Sequence, residues 1–144
     1  MLRRDYILKL IQDLFAAISN LLEGEGDEWR RQREVEALYT EFGEDKDFFR
    51  SASEADMVSR VVHVAAEGSG VSIDEVPKDE LLKRLELLAT LMYADFKVSN
   101  ISDGLRHDVA IRSLALFQKV NDSSEDYSFD RINKINELHD YLAK

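Results

Sequence analysis

Apolar residues return along this chain at steps of three and four, a period that belongs to amphipathic helices and not to strands. The pattern is densest over Lys78–Val98. Leu81, Leu82, Leu85, Leu88, Ala89, Met92 and Phe96 share one face, and Leu87, Leu91, Ala94 and Val98 point elsewhere. A helix apolar on more than one side belongs in an interior with neighbours on several flanks. Pro77 suits a first turn, where its missing N–H costs nothing. Asp79 and Glu80 suit the positive end of the helix dipole. Asp79 with Lys83, and Glu80 with Arg84, stand one turn apart as side-chain pairs. Glu86, Asp95, Lys83 and Arg84 interrupt the run too often for a membrane span, which needs about 20 nearly uninterrupted apolar residues.

The flanking pattern predicts about five more helices. Over residues 3–22 a broad stripe of Tyr6, Ile7, Leu10, Ile11, Leu14, Phe15, Ile18, Leu21 and Leu22 predicts an N-terminal amphipathic helix. Its near-heptad spacing allows it either to pack on its own domain or also to form a homodimer seam. Gly24-Glu25-Gly26 breaks the chain, and Asp27 is placed to cap a second helix over 28–42 that buries Val35, Leu38, Tyr39 and Phe42, with Trp29 anchoring its start. Gly43 is placed as a left-handed stop. Phe48 and Phe49, in a connector over 44–52, are expected in the core. Ser51-Ala52-Ser53-Glu54 has capping-box spacing before a third helix over 54–67. That helix carries Met57, Val58, Val61, Val62 and Ala65, and Gly68-Ser69-Gly70 stops it. Ser72 to Glu75 repeats the spacing. After the central helix, a helix over 105–120 buries Leu105, Val109, Leu114, Leu116 and Phe117. A last helix begins near Ser128 with Phe129, Ile132, Ile135, Leu138, Tyr141 and Leu142 inward. No period-two alternation and no hairpin dipeptide is present. The expected fold class is all-α, about six helices, in one domain over 1–144, with 27–144 as a helical-hairpin core.

Composition narrows function by exclusion. The 144 residues contain no cysteine, so thiolate and disulfide chemistry are ruled out, and a reducing, cytoplasmic setting is expected. The start does not read as a secretory signal. The net charge of −10 disfavours nucleic acid, whose binding relies on neutralising phosphates. The basic cluster Arg30-Arg31-Gln32-Arg33 is flanked by Glu28, Glu34 and Glu36 and reads as a solvated helix face.

Candidate chemistry is thin. His107-Asp108 and His139-Asp140 are dipeptides also seen in metal phosphohydrolases, but only His63 remains as a further histidine, between valines. There is no His-Glu-x-x-His and no Cys/His cluster, so no metal or cofactor is expected. Gly68-Ser69-Gly70 lacks a following lysine and is no phosphate loop. The residue of most interest is Asp95, one turn after Leu91 on a helix expected to be buried. A buried carboxylate needs a partner, and Arg106, Arg112 and Arg131 are the candidates. The bland outcome is a structural salt bridge. The sharper one is a polar inter-helical pocket built from Asp95, Arg112 and Tyr93, serving a small-ligand-binding regulator or an enzyme.

Leu85, Leu88, Ala89 and Met92, with Ala110 and Leu114 on the next helix, resemble the paired helices of the tetratricopeptide repeat. The interval between them is longer than in a regular repeat. The whole chain also resembles a family of uncharacterised bacterial helical proteins, through Asp5-Tyr6-Ile7-Leu8 with Ile11, Leu85-Glu86-Leu87-Leu88-Ala89 with Leu91-Met92-Tyr93-Ala94, and Tyr127-Ser128-Phe129-Asp130-Arg131. The first resemblance implies helical hairpins that present a groove to a partner segment. The expected function is a non-enzymatic protein-interaction or scaffold module. Its acidic charge favours a basic or amphipathic peptide, with neither nucleic acid nor membrane as partner.

Overall fold

A computed structural model describes residues 3–24 and 26–144. Among them lie seven α-helices and no strand: α1 (Arg3–Glu23), α2 (Glu28–Tyr39), α3 (Lys46–Ser51), α4 (Glu54–Ser69), α5 (Lys78–Val98), α6 (Asp103–Ser123) and α7 (Phe129–Leu142). Two 3₁₀ turns, Thr40–Phe42 and Ile73–Glu75, join them.

The caps explain most boundaries. Asp27, Ser53, Ser102 and Ser128 each accept a hydrogen bond from a backbone N–H in the first turn of the helix that follows, satisfying donors that a helix start leaves orphaned. The seventh helix, α3, arises within the stretch expected as a connector. Asp45 caps it by accepting from the Phe48 N–H at 3.0 Å, and Phe49 on its inner side is fully buried. The second helix is shorter than expected because its end tightens into the 3₁₀ turn. The turn stops at Gly43, which has φ +91°. A Cβ there would also meet Val64 Cγ2 at 2.7 Å, so a side chain fails on both counts.

Lys78–Val98 is helical over the whole expected range, and its residues 87–89 and 91–96 are buried without a break. The directions of its neighbours follow from pairings along it. Ser113 Oγ donates to the Ala89 carbonyl and Arg106 donates to that of Phe96, so residue numbers fall on α5 as they rise on α6 and the two are antiparallel. Arg131 meets Glu86, Glu137 meets Tyr93 and Tyr141 meets Phe96 edge to face, a near-constant offset that makes α7 parallel to α5. Gln32 meets Asn100 and Tyr39 meets Asp95, so α2 runs antiparallel. One core cluster draws side chains from every α-helix. Helix α1 turns Ile7, Ile11, Ile18 and Leu21 inward, against its own fold.

Three aromatics expected inside are exposed. Tyr6 lies on the solvent side of α1. Trp29 is 72% and Phe129 74% exposed. Each sits six residues before a buried anchor, Val35 or Ile135, which at 100° per residue places it about 120° round the helix from that anchor. No helix among the described residues is long and apolar enough to cross a membrane.

Candidate functional site

Two features invite a functional reading, one interior and one on the surface. The interior one is Asp95, which has no exposed surface. Arg50, in the last turn of α3 and 6% exposed, donates Nε to Oδ2 at 2.9 Å and Nη2 to Oδ1 at 2.7 Å. The Tyr39 hydroxyl donates to Oδ2 at 2.7 Å and the Ser99 hydroxyl to Oδ1 at 2.6 Å. Each carboxylate oxygen thus receives two hydrogen bonds, which nearly fills its acceptor capacity. Burial raises the Tyr39 phenol well above its ordinary pKa, and the Asp95 charge and hydrogen bond add to that. Burial opposes the Arg50 charge, but the hydrogen bond and attraction of Asp95 outweigh it, so the guanidinium pKa rises. A carboxylate closed on four donors has no free lone pair aimed at a substrate. What it does is join α2, α3 and α5.

The three arginines expected at Asp95 are all engaged elsewhere. Arg106 donates to the carbonyls of Phe96 and Ser99, at the end of α5. Arg112 donates to the carbonyls of Ala52, Ser51 and Asp108. Arg131 donates to Glu86 Oε2, Asn121 Oδ1 and the Asp126 carbonyl. Tyr93 is also committed. Its hydroxyl donates to Glu137 Oε1 at 2.6 Å while Lys97 donates to Oε2 at 2.6 Å. Burial and the Glu137 bond raise the Tyr93 pKa. For Glu137, burial pushes upward, but the bonds from Lys97 and Tyr93 win and hold its carboxyl below the usual range. Asp95, Arg112 and Tyr93 therefore stand in three separate networks and do not form one pocket.

The histidines stay apart as well. His63 Nδ1 lies 2.7 Å from the Ser59 carbonyl, which only accepts, so that nitrogen carries the hydrogen and cannot take a proton from the Ser59 hydroxyl. His139 Nε2 faces Gln118 Nε2. His107 is exposed on α6. Among the described residues no three His, Asp or Glu side chains are grouped to hold a metal ion.

The surface feature lies where α6 passes into α7, beside the start of α5. Two adjoining open clefts of about 260 and 300 Å³ share Asp79, Leu82, Ser124 and Asp126. Lys78 and Lys83 stand on the α5 side, and the Arg131–Glu86 pair lies in the wall. Immediately beside the cleft residues Asp126 and Ser128, Tyr127 on the connector and Phe129 at the first position of α7 are 69% and 74% exposed. Their rings meet edge to face at 4.9 Å. Residues 121–130 hold four acids, Asp122, Glu125, Asp126 and Asp130, and no base. Asp130 is paired with Lys134.

The sequence held one signal for this patch, the acid run interleaved with two aromatics. It held none for Arg50, Tyr39 and Ser99 as a set. Comparison of the chain with protein-family models, with curated proteins and with solved structures found no match.

Proposed function

We propose that this chain is a non-enzymatic protein-interaction module that offers the α6–α7 connector and the adjoining clefts to a partner. The observation that carries the reading is the pair Tyr127 and Phe129, two large rings braced on each other and left in water. Exposed apolar patches rimmed by polar groups mark interaction sites, and aromatics are over-represented among the residues that dominate binding energy. The arrangement α5–α6–α7, with neighbours antiparallel and the third helix parallel to the first, supports a tetratricopeptide-like hairpin reading. The closure of Asp95 onto Arg50, Tyr39 and Ser99 removes the motive for an enzyme or ligand-binding regulator at that position.

A photo-crosslinking residue at position 129, introduced in the native cell, tests the reading, with position 73 as an exposed apolar control. One protein enriched at 129 and absent at 73 is expected. No protein captured at 129, in cells where the chain is expressed and folded, refutes it.

A further inference from the structure

We infer that the partner segment is basic: a lysine or arginine side chain lies over Tyr127 and Phe129, its charge facing the connector acids, while an adjoining apolar side chain enters the cleft over Leu82. The inference rests on the proposed interaction surface and adds the chemistry of what covers it. Charge complementarity carries it. Of the acids on and flanking the connector, Asp130 in the first turn of α7 is spent on Lys134, but Asp122 in the last turn of α6 and Glu125 and Asp126 on the connector form no ion pair with a described residue. The bases nearby divide in two. Arg131 is closed on Glu86, and Lys78 and Lys83 border the cleft from α5, across from the connector. The aromatic side of the site is therefore its negative side. Two rings held edge to face leave π faces open to solvent, and a cation over such a face is attracted by the ring quadrupole. Carboxylates beside the rings add to that attraction and disfavour an acidic segment. The clefts supply the apolar half, through the partly exposed Leu82. The same chemistry is present within the fold, where Lys134 and Lys97 sit 5.4 and 5.8 Å from the Tyr93 ring centre beside Glu137.

The test uses the full chain and three short fluorescent peptides in which Leu alternates with Lys, Gln or Glu. Binding is read by anisotropy and mapped by amide chemical shifts. The Lys peptide is expected to bind, to perturb residues 122–131 and Leu82, and to weaken with salt. The Glu peptide is expected not to bind. Tyr127→Ala/Phe129→Ala and Glu125→Lys/Asp126→Lys should each weaken the Lys peptide by about ten-fold or more. Glu28→Lys/Glu41→Lys, which changes net charge equally but away from the connector, should weaken it by less than about three-fold. All replaced side chains are exposed, and an unchanged circular dichroism spectrum and melting temperature will show that the variants fold. Equal weakening by the connector and remote charge reversals, or shifts mapping elsewhere, overturns the inference. So does binding of the Glu peptide as tightly as the Lys peptide. If the Lys peptide fails while position 129 still captures a protein, the partner is not basic and the interaction surface stands. Failure at position 129 removes both.

Discussion

Replacing Arg50 with methionine isolates the energetics of the interior. The change keeps much of the stem's apolar volume and removes only the guanidinium, leaving Asp95 fully buried with the two hydroxyls of Tyr39 and Ser99. Arg50 supplies two charge-assisted hydrogen bonds, at 2.7 and 2.9 Å. Each is worth about 1.5–3 kcal/mol, so together they contribute about 3–6 kcal/mol. Breaking one side of a buried pair generally costs about 3–5 kcal/mol, because a charge is stranded in the interior. The two surviving hydroxyl donors favour the lower half of that range, about 3–4 kcal/mol. Domains have only about 5–15 kcal/mol in total, so the variant should lose a large part of its stability and about 10 °C in melting temperature. Urea unfolding followed by far-ultraviolet circular dichroism at neutral pH measures it, with an unchanged slope as evidence that the native state is intact. The triple change Tyr39→Phe/Arg50→Met/Asp95→Leu removes the stranded charge and the unpaired phenol together, and should recover more than half of the loss. An Arg50→Met cost below about 1 kcal/mol, or a triple variant no more stable than the single one, would refute this reasoning.

Gly43→Ala should destabilise by about 1–3 kcal/mol, since it combines a left-handed backbone with a Cβ 2.7 Å from Val64 Cγ2. Gly26→Ala, with open space around it, should stay within about 0.5 kcal/mol by the same urea assay. The Glu137 carboxyl is held below its ordinary pKa by Lys97 and Tyr93. Its contribution is therefore present above the ordinary carboxylate pKa and is lost as pH falls through the lower folded-state value. Glu137→Gln should be less stable than the parent at neutral pH and close to it in acid. A difference between the two that does not shrink on acidification removes that linkage.

Helical periods, caps and stops are local properties, and they were legible. Lys78–Val98 could be bounded from Pro77, its first-turn acids and its apolar repeat, because each acts within one or two turns. Asp27 and Ser128 could be read as caps for the same reason, whereas the capping box expected from Ser51 does not form: the cap of α4 is Ser53, and Ser51, the last residue of α3, bonds back to the Asp47 carbonyl. The pairs Glu80–Arg84 and Asp130–Lys134 also form. The six-residue α3 escaped because it is too short to show a period. Its existence depends on a cap and on the burial of Phe49 against Tyr39 and Phe42.

Pattern alone determined that this chain is helical, that α5 is its interior rod and that Asp95 had to find a partner. It did not determine which partner. Arg50 lies 45 residues away on a different helix, and any arginine on a neighbouring helix satisfies the same chemical demand. Only the packing angles of α2, α3 and α5 select it, and they bring Tyr39 and Ser99 with it. The exposure of Trp29, Tyr127 and Phe129 was likewise settled in three dimensions. A large aromatic near a helix end carries the same apolar signature whether a neighbour covers it or not, and at the α6–α7 connector no described residue does.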